Sequence, residues 1–377
     1  MATLLDSRLT ALQDSVARFA EAEAVSRLQG SDVFPLDLWR KMGEAKLLGL
    51  GLPDAYGGSD GGWLSIQAAT EAFVRRSQNM GMALSWLIHL IVARFALLGF
   101  GTSQQIEQWL PRLAAGETTL SLAISEPRTG AHPRYLKTMA TRRDDDWVLT
   151  GEKSFLTNGP LAGLFIVLAV TATDGEKKQL TAFMVPRKTP GLSLTDPIRL
   201  DFLKPSPHCG IRLDNCAVPS DQILGDPGSA FEKISKPFRE LEDVLLMGPV
   251  AGGMAAQLSI LAALLARQDI RTTDALTAAA GELQARLDAL RIQAYEAAAM
   301  LDSGRSHPEF QSLLLSFRFQ ARHFQSVLAG LLEQAGMWAD PALAALTKDL
   351  LMTVGVAENV ALIKQRKIGE TILLRKG

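Results

Sequence analysis

Cysteine is nearly absent from the 377-residue chain: only Cys209 and Cys216 occur, neither in metal-ligand company. That excludes a disulfide framework and a zinc cluster, and both thiols read as small buried apolar groups. No excess of either charge exists, since 39 Lys+Arg against 40 Asp+Glu leave a formal net charge of −1. Without a basic surplus or an acidic tail, no nucleic-acid partner is expected. No charged head followed by an apolar block opens the chain, because Leu4 to Ala24 mixes acidic and basic residues in an amphipathic pattern. No signal peptide is expected from it, and a cytoplasmic location is the default expectation. The most apolar run, Met80 to Phe100, contains His89 and Arg94 and lacks interfacial flanks, so it reads as a core helix, with no membrane partner. No Ser-His-Asp or nucleophilic-cysteine arrangement is found. Gly57-Gly58 and Gly61-Gly62 follow no strand, so they make no dinucleotide fingerprint. Asp144-Asp145-Asp146 reads as a solvated hairpin tip, not as a metal site.

What is present is a long chain, 47% hydrophobic, with no internal repeat or low-complexity linker. Its size fits two or three domains. Residues 118–226 are rich in β-forming runs: Tyr135–Arg143, Trp147–Lys153, Leu164–Thr173, Leu180–Val185, Leu192–Leu200 and Gly210–Val218. Each is short and bounded by Gly, Pro, Asp or Asn, which predicts an antiparallel barrel or sandwich. Small residues and hydroxyls at its strand ends suit a flat ligand held edge-on.

The flanks are helical. Leu5, Leu9, Leu12, Val16 and Phe19 recur at helical spacing, and Pro35 opens a second helix. Trp63–Gln78 and Met80–Gly99 follow, then a short helix capped by Thr102 that ends near Leu110-Pro111. Beyond the β region, Ser229–Ala266 is helical with a kink expected at Gly248-Pro249. The patterns Thr273–Asp302, Pro308–Ala335, Pro341–Leu351 and Glu358–Leu374 complete a C-terminal bundle. The expected architecture is α+β and multi-domain: an N-terminal helical domain (1–117), a central antiparallel β-barrel domain (118–226) and a C-terminal four-helix bundle (227–377).

Five motifs occur in order. Gly51-Leu52-Pro53-Asp54-Ala55-Tyr56-Gly57-Gly58 is followed by Leu110-Pro111 with Ala115-Gly116-Glu117. Ser125-Glu126-Pro127 leads to Gly130, then come Phe155-Leu156-Thr157-Asn158-Gly159 and Val218-Pro219 with Leu224-Gly225. Each alone is weak. Together, at this spacing, they resemble the acyl-CoA dehydrogenase family of flavoenzymes.

The resemblance implies FAD as cofactor and the α,β-dehydrogenation of an acyl thioester carried by CoA or an acyl carrier protein. A base takes a proton from Cα while hydride leaves Cβ for flavin N5. By carry-over, Thr157 is the hydroxyl at N5, Ser125 contacts the ring edge with Gly130 in the same motif, and Phe155 takes the place of the family's stacking aromatic. A Thr-Asn pair at a strand end is otherwise turn chemistry. His132, after Gly130-Ala131, reads as a solvent-exposed loop residue.

Three departures accompany the match. The family's usual loop glutamate corresponds to Val354, which has no carboxylate; its backbone N–H is left as the candidate that polarises the thioester carbonyl. Leu241-Glu242-Asp243 resembles the segment that carries the base in isovaleryl-CoA dehydrogenases, so Glu242 is the candidate base, or else an ordinary solvated glutamate. Arg267 stands at the family's pyrophosphate arginine but is followed by Gln268-Asp269-Ile270-Arg271, and the glycine loop is reduced to Gln334-Ala335-Gly336-Met337-Trp338. Family members complete the flavin site with a neighbour's bundle, which implies a homodimer or homotetramer. A dehydrogenase, a catalytically silent or flavin-poor thioester binder, and a flavoprotein with different chemistry all remain open.

Overall fold

The computed structural model describes residues 7–373 except 176, 268–272, 305–306, 308, 336–339 and 357. Its helices are α1 (Ser7–Phe19), α2 (Val25–Leu28), α3 (Leu36–Glu44), α4 (Trp63–Ser77), α5 (Met80–Ile91), α6 (Leu98–Phe100) and α7 (Ser103–Ala114). After the strands come α8 (Lys236–Leu245), α9 (Met247–Arg267), α10 (Asp274–Ser303), α11 (Phe310–Ala335), α12 (Pro341–Gly355) and α13 (Glu358–Leu373). The stretches Met80–Phe100 and Phe231–Arg267 are long and apolar enough to cross a membrane, yet most of each is buried inside the fold.

Two compact units form. One comprises Met1–Gln29, Gly62–Ala83 and Asp243–Gly377; the other comprises Gly30–Gly61 and Leu84–Glu242.

The first unit is helical and is cross-linked by buried polar side chains. The amide of Gln67 on α4 donates to Val244 O and Ala294 O, both at 3.2 Å. Glu71, one turn on, accepts from Arg291 Nε at 2.7 Å and from the Tyr295 hydroxyl. Gln13 of α1 donates to that same hydroxyl at 2.7 Å. Burial and the Glu71 charge push the Tyr295 phenol far up, so it stays protonated as a donor. Gln257 and Gln325 exchange two bonds, and Gln257 also reaches Thr347 Oγ1 at 2.8 Å. Each partner satisfies a group whose burial would otherwise cost about 1–3 kcal/mol. The expected kink falls at Leu246, between α8 and α9, and Pro249 stands in the first turn of α9, where a missing N–H breaks no helix bond. Thr273 caps α10 by accepting from Leu276 N, and Asp340 caps α12 by accepting from Leu343 N.

The second unit carries the sheet: β1 (Thr119–Ala123), β2 (Met139–Arg143), β3 (Asp146–Thr157), β4 (Ala162–Asp174), β5 (Lys177–Pro186), β6 (Leu192–Leu194), β7 (His208–Pro219) and β8 (Ile223–Leu224). The order is β6-β7-β3-β2-β4-β5-β8, with β1 on β4. The expected closed antiparallel barrel is therefore corrected to an open, mixed sheet. Its two edges are strands of three and two residues that do not pair with each other, and β1 and β2 both run parallel to β4. Leu164 through Val170 on β4 are all fully buried, as a strand covered on both faces should be. β1, missed in the sequence, is only five residues long and is buried on nearly every position; Leu192–Leu200 holds only three strand residues. The acidic triplet does form the β2–β3 turn, with Asp144 in the left-handed region. Thr102 caps α7 in a reciprocal pair with Gln105, and that helix runs through Pro111 to Ala114.

Two glycines of α9 meet α4 with no room to spare. A Cβ added at Gly248 would lie 2.7 Å from Gln67 O, and one at Gly252 would lie 2.4 Å from Glu71 O. Gly252→Ala should therefore destabilise by about 1–3 kcal/mol through overpacking, although alanine is the better helix former. At Gly281, where nothing stands within 4 Å, the same change should stabilise by about 0.5–1 kcal/mol. Urea midpoints of the two variants, moving in opposite directions, check this.

Candidate functional site

The site is built in the second unit from a charge pair outward. Lys153 of β3 is in phase with buried Leu149 and is itself 0% exposed, with Glu126 at 6%. The Lys153 ammonium donates to Glu126 Oε1 at 3.0 Å and to Ile124 O at 3.1 Å. Glu126 also accepts from Lys137 N at 2.6 Å and Thr138 N at 2.8 Å. Burial raises the carboxyl, but the Lys153 charge and the bonds from Thr138 and Lys137 outweigh it and hold Glu126 below the usual range. Burial pushes Lys153 down to about 8, opposed by Glu126, so the ammonium stays charged at neutral pH.

This pair fixes two segments together. Glu126 and Gly130 exchange backbone bonds of 3.0 and 3.1 Å, closing a loop in which Gly130 takes φ +60°. Just before it, Ser125 O accepts from Ser154 N at 2.9 Å. Here the β3–β7 register breaks between Lys153 and Leu156. Ser154 and Phe155 together stand against the single residue Gly210, a bulge of one extra residue, and Phe155 sits at φ +55° with 62% of its surface exposed. Two residues on, Thr157 is half-buried; its carbonyl accepts from Ser121 Oγ at 2.8 Å, and its hydroxyl lies 3.0 Å from His208 Nε2. Asn158 then turns the chain at φ +62° with its side chain donating to Ser85 O at 2.8 Å. A Cβ at Gly159 would meet Cys209 Sγ at 2.6 Å, so glycine is needed there.

Ser125, Phe155, Thr157 and Gly130 thus come together on one ledge. Glu242 is half-buried on α8 beside buried Leu241. Val354 is buried in the last turn of the unbroken α12, where backbone N–H groups are taken up by the helix ladder. That corrects its expected role: its N–H is not free for a thioester. Arg267 is exposed at the end of α9 and bonds back to Ala263 O. Residues 268–271 and 336–338 lie outside the described residues, as does the side chain of Gln334. His132 is exposed, and both cysteines are buried and free. Burial pushes the Cys209 thiol up to about 11, so it is no nucleophile. Sequence reading missed Lys153 and His208. A lysine in phase with a buried leucine is a signal of a buried counter-charge; His208 had none, since only strand register sets it beside Thr157.

A family model described as the acyl-CoA dehydrogenase N-terminal domain matches residues 7–117, and one described as the middle domain matches 121–216. The mitochondrial 2-methylacyl-CoA dehydrogenase of Solanum tuberosum is 30% identical over 316 residues, covering 81% of this chain and 76% of that protein. The solved FAD complex of PigA shares the fold at a TM-score of 0.85 and 21% identity, covering 98% of this chain and 99% of PigA. The prolyl acyl carrier protein oxidase AnaB does so at 0.84 and 24% identity, covering 98% and 100%.

Removing one partner of the pair should expose its worth. Lys153→Met leaves Glu126 buried without its cation and should cost about 3–5 kcal/mol, most of it recovered in the Glu126→Gln/Lys153→Met double variant. Because Glu126 is held low, its contribution is complete above the usual carboxylate range and is lost as pH falls through that range. Lys153 adds no opposite change there, being charged in both states. Urea denaturation between pH 7 and 3 should show a steeper acid loss in the native protein than in the double variant.

Proposed function

The chain belongs to the acyl-CoA dehydrogenase family, and from that premise we propose that it is an FAD-dependent dehydrogenase of acyl thioesters carried by CoA or an acyl carrier protein. The carrying observation is the ledge: an exposed aromatic at a bulge, flanked by hydroxyls. Among the described residues, Ser154 Oγ and Thr129 Oγ1 beside it are buried without a hydrogen-bond partner. Exposed Phe155 with spare polar groups around it fits a flat ring with polar edges. Phe155 would lie along the ring, Thr157 at N5 and Ser125 at the ring edge. When bound, FAD supplies the two-electron acceptor that takes hydride at N5.

The chain's own part is positioning and proton transfer. Glu242, half-buried on α8, is the carboxylate that would accept the Cα proton. Loss of that proton and of the Cβ hydride leaves a 2,3-enoyl thioester. A second reading, a thioester binder without turnover, is favoured by one observation: α12 runs unbroken through Val354, so no loop N–H and no loop carboxylate are offered there. The fold also matches a carrier-protein oxidase, which supports carrier-bound thioesters alongside CoA. We further propose a homodimer or homotetramer, supported by exposed Leu351, Met352, Val356, Leu362, Ile363 and Ile372 on and between α12 and α13.

The purified protein should absorb near ~450 nm, a property of bound flavin, and saturated acyl thioesters added without oxygen should bleach it. Glu242→Gln should keep the flavin and slow bleaching by roughly 100-fold or more. Unchanged bleaching clears Glu242 of the role, and flavin that no thioester bleaches supports the second reading. Light scattering should give two or four times 40.8 kDa; a monomer refutes the assembly.

A further inference from the structure

Thr157 has a partner that limits what its hydroxyl can do. His208 faces it across the β3–β7 pair, with Nε2 at 3.0 Å from Thr157 Oγ1. The other ring nitrogen, Nδ1, lies 3.0 Å from Ser206 O. A carbonyl oxygen only accepts, so Nδ1 carries a hydrogen and donates it. Ser206 is itself held, its hydroxyl taking a 2.9 Å bond from Ser85 Oγ. His208 is 7% exposed, and burial lowers its pKa against the opposing bond to Ser206, which keeps the ring neutral at pH 7. A neutral imidazole with its hydrogen on Nδ1 has a bare Nε2. The single hydroxyl proton of Thr157 is therefore spent on His208, and what Thr157 offers the ledge is lone pairs alone.

We propose that His208 is a positioning residue that turns Thr157 from a hydrogen-bond donor into an acceptor, so that the site favours the reduced form of the bound flavin. The inference rests on the placement of Thr157 at flavin N5. That nitrogen accepts a hydrogen bond when oxidised and donates one when reduced. A threonine whose proton is already given away meets the reduced ring with a good bond and the oxidised ring with two opposed lone pairs. Freeing the proton removes the preference, because the hydroxyl can then donate to the oxidised ring and still accept from the reduced one. A site tuned this way draws electrons from a thioester more readily than the same threonine would with its hydroxyl free.

The test is a double-mutant cycle read by the midpoint potential of the bound flavin, measured by dye-equilibrated reduction of the purified holoprotein. His208→Asn keeps a side-chain donor near Ser206 O but is too short to reach Thr157; His208→Leu is the second variant should the first fail to fold. In the native background either change should shift the oxidised-to-reduced equilibrium roughly tenfold towards oxidised, about 30 mV lower for a two-electron couple. In a Thr157→Val background the same changes should leave the potential unmoved. An equal shift in both backgrounds, or none in either, overturns the proposal while the flavin reading stands. A protein that binds no flavin overturns both.

Discussion

A lysine with no exposed surface is tolerable only beside an anion, and this one constraint shapes the rim of the sheet. The Lys153 ammonium needs Glu126, so the loop from Ser125 to Gly130 must lie down against β3. Glu126 then needs donors for its remaining lone pairs, and it takes them from the backbone of Lys137 and Thr138, which sets the start of β2. The pair is therefore less a contribution to stability than a fastener. Three chain segments that are far apart in sequence acquire a common origin, and the ledge is measured from it.

The bulge follows from the same place. With Lys153 committed inward, continued alternation would carry Phe155 inward as well. One extra residue on β3 lets Leu156 enter the core instead, and Phe155 is left outside in a left-handed conformation that a bulky residue seldom adopts. Holding an aromatic ring in water at such a backbone angle is unfavourable in isolation. It makes sense where a flat ligand covers the ring, and the orphaned hydroxyls of Ser154 and Thr129 point the same way.

The helical unit solves its burial problem differently. Instead of one ion pair it distributes amides and hydroxyls, Gln67, Gln257, Gln325 and Tyr295, so that buried donors meet carbonyls or each other across helices. Glycines at Gly248 and Gly252 let α9 approach the backbone of α4 closely enough for that wiring to close. The buried Glu71 is answered by Arg291 and by a phenol that never ionises at neutral pH.

The sequence by itself determined the helical flanks, the β-rich middle, the cap at Thr102 and the family, because periodicity, capping chemistry and motif spacing are local properties of the chain. It placed Ser125, Phe155 and Thr157 near one another through their motifs. It could not show that the sheet stays open, since closure depends on whether distant edge strands meet, nor that Val354 falls inside a helix that continues past Leu351. The partnership of Lys153 with Glu126 and of Thr157 with His208 was decided only by tertiary structure. Both depend on strand register, and a bulge of one extra residue, silent in composition and spacing, reassigns every side chain beyond it to the opposite face.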